Sequence, residues 1–234
     1  MAPDLPDDVA GLLRTAAETA EACVIEARTA RRAAVAVDGA LDRRRLDADQ
    51  HAAHGLAWAA AYAETLRQTA AWARGLAQRG ALEEASARPA LLLAHEYLAQ
   101  LAGGLPMSQG EMARPDAIGF HPARLAPVVA RLAAHGGSPA RARIVELLAK
   151  AKGAPSLETS DLDETHAAIQ DQFHRLAAEK ISPYAHGWHM RDELIPLELI
   201  EALADLGVFG LTLPEAFGGA GLGKVAMCIV SEAL

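Results

Sequence analysis

The stretch LGVFGLTLPEAFGGAGLG, residues Leu206–Gly223, differs from the rest of the chain. Most of the sequence is rich in alanine, with apolar residues at helical spacing. Here two short apolar pieces lead into a Pro-Glu step and then into a run of glycines. Such a run is compatible with a phosphate-binding loop, a flexible linker or a fixed corner in a larger enzyme.

The glycine spacing comes close to that of a phosphate-binding P-loop. Gly218 and Gly223 are separated by four residues and are followed by Lys224. However, Val225 stands where the loop needs the serine or threonine that binds Mg²⁺, and Pro214 interrupts the preceding strand-like piece. We therefore interpret the glycines as positions that allow positive φ angles or a close approach of backbone or ligand.

The composition predicts an all-α fold. Of the 234 residues, 51% are hydrophobic but only 4% are aromatic, because alanine, the strongest helix former, supplies much of the apolar count. The net charge of −8 argues against a nucleic-acid-binding protein and gives no support for docking on an anionic membrane.

Two further features predict a cytoplasmic protein. The N-terminus lacks a basic start before an apolar core, and no apolar run approaches the roughly 18 residues of a membrane span. Cys23 and Cys228 are far apart in sequence and form no CxxC pair, so we expect no disulfide framework, a reducing compartment, and a role for each as a small helical hydrophobe.

Helical periodicity predicts five helices in a first domain, residues 1–155. The first runs from residues 6–8 to Gly39, and the second from about 47 to a stop at Gly80, with the basic run 43–45 as a solvated helix start. The others cover about 89–102, 121–135 and 138–153, and the prolines and glycines of 103–120 predict a long ordered loop or a series of turns.

The segment GAPSLETSDLD predicts a boundary to a second domain, residues 156–234. Ser160 and Asp163 are spaced as in a capping box, Pro183 bends or restarts the helix that follows, and another helix begins near Pro196 and ends at Gly207. The final helix reaches Leu234 without a cap, so we expect this domain to be incomplete at its C-terminal end.

The sequence offers several chemically suggestive residues with simpler explanations. Trp58, Tyr62 and Trp72 follow the apolar stripe of the second helix and are predicted to anchor a core rather than to form a ligand cage. The histidine pairs 51/54 and 186/189 have i, i+3 spacing but no third metal ligand, and His95-Glu96 fits a helical surface pair. Ser231 lacks a nucleophile elbow. We assign no catalytic and no metal-binding residue.

From about Glu164 onward the order of signals resembles the N-terminal helical domain of the acyl-CoA dehydrogenase family. The resemblance rests on an I-x-P step, a proline-started helix, an L-G-x-x-G element, a P-E-x-[FY]-G-G-x-G element and an S-E-x-L element. The matching residues are Ile181, Pro183, Pro196, Leu206, Gly207, Gly210, Pro214, Glu215, Phe217, Gly218, Gly219, Gly221, Ser231, Glu232 and Leu234. The preceding helical extension, with HEYLAQLAGGLPMSQGEMARPDAIGF, looks like that of the methylsuccinyl-CoA dehydrogenases of the ethylmalonyl-CoA pathway.

The resemblance implies a homo-oligomeric FAD enzyme that oxidises an acyl-CoA to a 2,3-enoyl-CoA. In the family a glutamate removes the α-proton, the β-hydrogen leaves as hydride to FAD, and an electron-transfer flavoprotein accepts the electrons. The catalytic glutamate and most flavin-binding residues of the family lie beyond the matched segment, so none is carried over. Glu215 and Glu232 match structural positions of the motif. We therefore expect the chain alone to be inactive and to hold no FAD.

The resemblance also suggests a role for the glycine run. It matches the corner that turns the helical domain toward the acyl and flavin cleft, with Gly218, Gly219 and Gly221 permitting the sharp path and Phe217 packing the corner. The alternative hypothesis is that the chain is a non-enzymatic helical interaction module whose active surface is the extension.

Overall fold

The computed structural model describes residues 3–150 and 162–234. Contacts between Cα atoms divide the chain into two compact units, Met1–Glu158 and Thr159–Leu234, called here the N-terminal and C-terminal units. The predicted domain boundary between residues 155 and 156 lies outside the described residues and stays a prediction.

The N-terminal unit is built from helices with two short hairpins between them. The helices are α1 (Val9–Val35), α2 (Arg43–Ala48), α3 (Gln50–Gln78), α4 (Glu84–Gly103), α5 (Pro115–Ile118), α6 (Ala126–Gly136) and α7 (Ser138–Lys150). The hairpins are antiparallel and pair β1 (Ala36–Val37) with β2 (Ala40–Leu41), and β3 (Leu105–Ser108) with β4 (Glu111–Ala113). The predominance of helix confirms the all-α prediction.

Alanines form the contact between α1 and α3. Ala16, Ala20 and Ala27 of α1 and Ala59 and Ala73 of α3 are completely buried. Since a methyl group keeps two backbones close, these long helices pack side by side with little space for larger side chains. Larger residues fill the core where α4 joins the pair: Leu66, Leu91, Leu98 and Leu101.

Local signals set both ends of this helical framework. The Asp8 side chain caps α1 by accepting a hydrogen bond from the Gly11 amide at 2.7 Å. At the end of α3, Gly80 has φ +66°, and the amides of Gly80 and Ala81 bond back to Ala77 and Leu76. This is the Schellman arrangement, so the predicted stop at Gly80 is confirmed.

Other predicted boundaries were wrong. Gly39 does not end α1: it forms, with Asp38, the positive-φ turn between β1 and β2, while α1 ends at Val35. The predicted second helix is divided at Asp49 into α2 and α3. The third helix, α4, begins at Glu84, and Pro89 lies inside it because the loss of one hydrogen bond is tolerated in a packed helix.

Two loop and turn predictions also need correction. The segment predicted as a long ordered loop or a series of turns also contains the short strands of the β3–β4 hairpin and the helix α5. The predicted helix over 121–135 is a 3₁₀ turn, Pro122–Arg124, followed by α6. The predicted end of α7 at Gly153 lies outside the described residues, as does Ser160 of the capping box.

The predicted aromatic anchors differ in burial. Tyr62 lies in the core, stacks on Tyr97 with ring centroids 4.1 Å apart, and donates a 2.6 Å hydrogen bond to Gln100. Trp72 packs against the same core. The prediction was wrong for Trp58, which is 37% exposed and donates its indole N–H to His54.

The two cysteines differ in the same way. Cys23 is completely buried in α1, and burial raises the pKa of its thiol to about 11. It is therefore a neutral apolar group at physiological pH, as predicted. Cys228 is helical but exposed, so it does not pack as a buried hydrophobe.

The C-terminal unit contains four α-helices within residues 162–234: α8 (Glu164–Lys180), α9 (Ser182–Met190), α10 (Leu197–Asp205) and α11 (Gly223–Ala233). Asp163 caps α8 through the His166 amide, and Pro183 lies in the first turn of α9, which confirms the restart predicted there. The core of the unit consists of Phe173, Leu203, Leu211 and Val230. Among the described helices of both units, none combines the length and apolarity needed to cross a bilayer.

The packing of the N-terminal unit predicts a strong difference between two leucines. Leu98 is fully buried, whereas Leu41 is 65% exposed. We expect Leu98→Ala to lower the free energy of unfolding by about 2–5 kcal/mol because it leaves a cavity. Leu41→Ala is the control and should change it by about 0.5 kcal/mol or less. Urea unfolding followed by circular dichroism measures both, and equal losses would contradict the assigned core.

Candidate functional site

The candidate site is the segment 206–223, called here the glycine corner. It links α10 to α11 through two 3₁₀ turns, Val208–Gly210 and Glu215–Phe217. The chain reverses direction at glycines with positive φ, a region that other residues rarely adopt: Gly207, Gly218, Gly221 and Gly223. The predicted left-handed cap at Gly207 is thereby confirmed.

Backbone hydrogen bonds close the glycine corner upon itself. The amides of Ala220, Gly221 and Leu222 donate to the carbonyls of Gly210, Leu213 and Leu211 at 2.9–3.0 Å. The amides of residues 218 and 219 donate to Glu215 and Pro214. Five consecutive amides are thus occupied within the corner, whereas a phosphate-binding loop turns its amides toward the ligand.

Gly219 is needed for the two sides of the corner to meet. A Cβ atom at this position would overlap the carbonyl oxygen, carbonyl carbon and Cβ of Leu213. Two of these three atoms belong to the backbone and cannot turn aside. Gly210 faces the same contact from the other side, but a Cβ there would lie 3.6 Å from the Gly219 Cα, which is ordinary van der Waals distance.

The corner is anchored to the core of the C-terminal unit by its apolar residues. Leu211 is buried against that core, and Val208 and Leu222 pack beside it, partly buried. Because the Leu222 amide also binds the Leu211 carbonyl, the two anchored positions lie next to each other. The corner is therefore a packed structure rather than a flexible linker.

Phe217 occupies a different place from the one predicted. Its residue surface is 81% exposed, so it does not pack the corner. Phe209 and Leu213 are also exposed, and so are Leu194 and Leu197 shortly before the corner. An exposed aromatic ring on a closed backbone loop offers shape and apolar contact to a ligand or to another part of a protein.

The described residues near the corner provide apolar surface rather than reacting groups. Glu215, Ser231 and Glu232 are all exposed to solvent. No group of three His, Cys, Asp or Glu side chains within residues 3–150 and 162–234 is arranged to hold a metal ion. In the histidine pairs, His54 accepts a hydrogen bond from Trp58, and His51 lies 3.4 Å from Glu111.

Comparison with known proteins adds the family of the C-terminal unit. Residues 163–234 match the acyl-CoA dehydrogenase N-terminal domain. The chain carries an acyl-CoA dehydrogenase N-terminal domain. This family is FAD-dependent. The match begins at the α8 cap and includes the whole glycine corner, so the resemblance seen in the sequence is confirmed.

Relatives of the chain are dehydrogenases of acyl-CoA thioesters. The chain is 47% identical over 228 residues to (2S)-methylsuccinyl-CoA dehydrogenase of Cereibacter sphaeroides, which covers 97% of this chain and 42% of that protein. It is 39% identical over 69 residues to benzylmalonyl-CoA dehydrogenase of Aromatoleum aromaticum, covering 30% of this chain and 18% of that protein. It is 32% identical over 71 residues to a mitochondrial isovaleryl-CoA dehydrogenase of Oryza sativa, covering 30% of this chain and 17% of that protein. The chain thus spans less than half the length of these relatives.

The geometry of the glycine corner predicts that two of its glycines differ in their tolerance of replacement by alanine. Gly219→Ala should lower the free energy of unfolding by about 1–3 kcal/mol, because its methyl group overlaps the Leu213 backbone. Gly210→Ala is the matched control in the same corner, and we expect it to cost about 1 kcal/mol or less because the space is open. Urea unfolding of both variants checks this, and a tolerated Gly219→Ala would show that the close approach is not required.

Proposed function

We propose that the protein to which this chain belongs is an FAD-dependent acyl-CoA dehydrogenase that oxidises (2S)-methylsuccinyl-CoA to mesaconyl-CoA. The observation that supports this substrate is the extent of the similarity. Identity to the methylsuccinyl-CoA enzyme runs through both units, whereas the benzylmalonyl-CoA and isovaleryl-CoA enzymes match only about seventy residues. The similarity of the N-terminal unit is therefore what favours (2S)-methylsuccinyl-CoA over the other two substrates.

The proposed reaction removes one hydrogen from each of two adjacent carbons. The α-carbon loses a proton to a general base, and the β-carbon loses a hydride, which leaves a carbon–carbon double bond conjugated with the thioester. FAD, when bound, supplies the acceptor for the hydride. Within the glycine corner five amides are already occupied, so we assign neither the base nor a flavin contact to the corner.

The proposed role of the corner is to shape the cleft in which the acyl group lies. Phe217 supplies an exposed ring, while Gly218, Gly219 and Gly221 hold the backbone path that presents it. An apolar wall at this point excludes water from the reacting carbons and favours acyl chains that fit beside the ring.

The remaining parts of the proposal concern partners. An electron-transfer flavoprotein would reoxidise the flavin, and the enzyme would act as a homo-oligomer in the ethylmalonyl-CoA pathway. The sequence has only two cysteines, far apart and without a disulfide framework, which favours a reducing compartment such as the cytoplasm. The similarity to several named dehydrogenases favours this function over a non-enzymatic interaction module.

The full-length protein provides the first test. Purified with FAD and mixed anaerobically with acyl-CoA thioesters, it should lose its yellow colour fastest with (2S)-methylsuccinyl-CoA, and mass spectrometry should find the 2,3-enoyl product. Isovaleryl-CoA and benzylmalonyl-CoA are the comparison substrates. Faster bleaching by one of these would overturn the proposed substrate, and no bleaching by any of the three would overturn the proposed dehydrogenase activity.

Residues 1–234 alone should be colourless, and a stoichiometric flavin spectrum would contradict that expectation.

The role of Phe217 is tested separately in the same full-length protein. Phe217→Ala should leave the melting temperature nearly unchanged, because the ring contributes little to the core. It should lower kcat/KM for the preferred acyl-CoA by about tenfold, since an apolar contact of this size is worth about 1.5–3 kcal/mol when buried. Val145→Ala, at an exposed position of the N-terminal unit, is the control. An unchanged kcat/KM in Phe217→Ala would exclude the cleft-shaping role.

A further inference from the structure

A buried polar cluster joins α4 to α6 and α7 in the N-terminal unit. His135, at the end of α6, is buried, and the charged or titratable groups that face it are Arg88 and His95 of α4. The next residue, Gly136, lies directly against the His95 imidazole, where a Cβ atom would overlap the ring. The two histidines and the arginine therefore share one confined space.

Arg88 is paired with groups other than the two histidines. Its side chain is 8% exposed, and it donates to Glu84 at 2.5 Å and to the Pro3 carbonyl at 3.0 Å. Glu84 also accepts two hydrogen bonds from Arg143 of α7. Hydrogen bonds from Arg143 and Arg88 hold the pKa of Glu84 down to about 2, so this carboxylate stays ionised in mild acid. Asp4 and Glu146 line the same surface recess as these groups, and their carboxylates balance the positive charge of Arg88 and Arg143.

His95 lacks a partner of its own. Its Nδ1 atom is buried without a hydrogen bond, and the nearest carboxylate oxygen, in Glu96, lies 3.6 Å away. That same oxygen accepts a 2.6 Å hydrogen bond from Arg141 of α7. The Glu96–Arg141 ion pair therefore links α4 to α7 beside the His95 imidazole.

We propose that protonation of His135 loosens α6 and α7 from α4 in mildly acidic solution. A charged His135 would face the Arg88 guanidinium, while the nearby Glu84 carboxylate is already engaged by Arg88 and Arg143. This inference rests on the N-terminal unit alone and does not depend on the proposed dehydrogenase activity.

The direction of the effect follows from proton linkage. Burial lowers the pKa of His135 below its ordinary value of 6.5, and the nearby Arg88 and His95 lower it further. Between these two pKa values the unfolded chain binds more protons than the folded chain, so stability falls as the pH drops below 6.5. The stability is fully present above that value.

Hydrogen exchange at about pH 7.5 and about pH 5.5, corrected for the intrinsic rate, tests the proposal in the chain 1–234. We expect protection of the amides in 126–150 to fall more than that of α1 and α3. The excess should be about tenfold for each pH unit between the folded and unfolded titration midpoints of His135. His135→Gln should reduce the excess, whereas His174→Gln, on the exposed side of α8, should leave it unchanged.

A second measurement keeps the proposal testable if His135→Gln does not fold. Titration of the histidine ring signals by NMR in the unmodified chain should place the midpoint of His135 below its ordinary value of 6.5. A midpoint at or above that value would overturn the proposal. So would an equal loss of protection in α1, α3 and 126–150, or an excess that survives His135→Gln.

Discussion

Close approach between backbones, made possible by small residues, is the constraint on which both units depend. In the N-terminal unit, completely buried alanines allow α1 and α3 to lie side by side, and Gly55 accommodates Ala113, where a Cβ would lie 2.7 Å away. In the C-terminal unit, Gly219 likewise allows its backbone to approach Leu213 closely. Where two backbones are separated only by alanine methyl groups or glycine hydrogen atoms, a larger side chain would force one backbone to move.

The sequence predicted the elements whose signals are local. Gly80 and Gly207 end their helices because glycine takes the left-handed conformation easily, and Pro183 restarts one because it suits a first turn. The predictions failed where one local signal is compatible with two kinds of local structure. Asp38-Gly39 fits a helix end and a tight hairpin turn equally well, and only the pairing of β1 with β2 decides between them. Pro89 indicated a helix start, but α4 continues through it.

The buried polar cluster illustrates a second limit of sequence reasoning. Glu84 and Arg143 are 59 positions apart, and His135 follows a regular helical pattern that gives no sign of its neighbours. Only the packing of α6 and α7 on α4 brings these groups together. Phe217 shows the same limit: the motif singled out the residue, but its packing against the corner was predicted and the structure exposes it. A sequence pattern identifies positions, while burial depends on contacts made by distant parts of the chain.

The closed hydrogen-bonding of the glycine corner determines what kind of recognition it can offer. Because the amides of residues 218–222 are occupied and Leu211 is held in the core, the backbone conformation is fixed before any ligand arrives. Binding would therefore require little ordering of the chain, which removes one of the main costs of association. The same closure leaves these amides unable to bind phosphate or an oxyanion. In the proposed cleft-shaping role, the corner would act through side-chain shape and apolar area, and Phe217, which is exposed on it, would supply both.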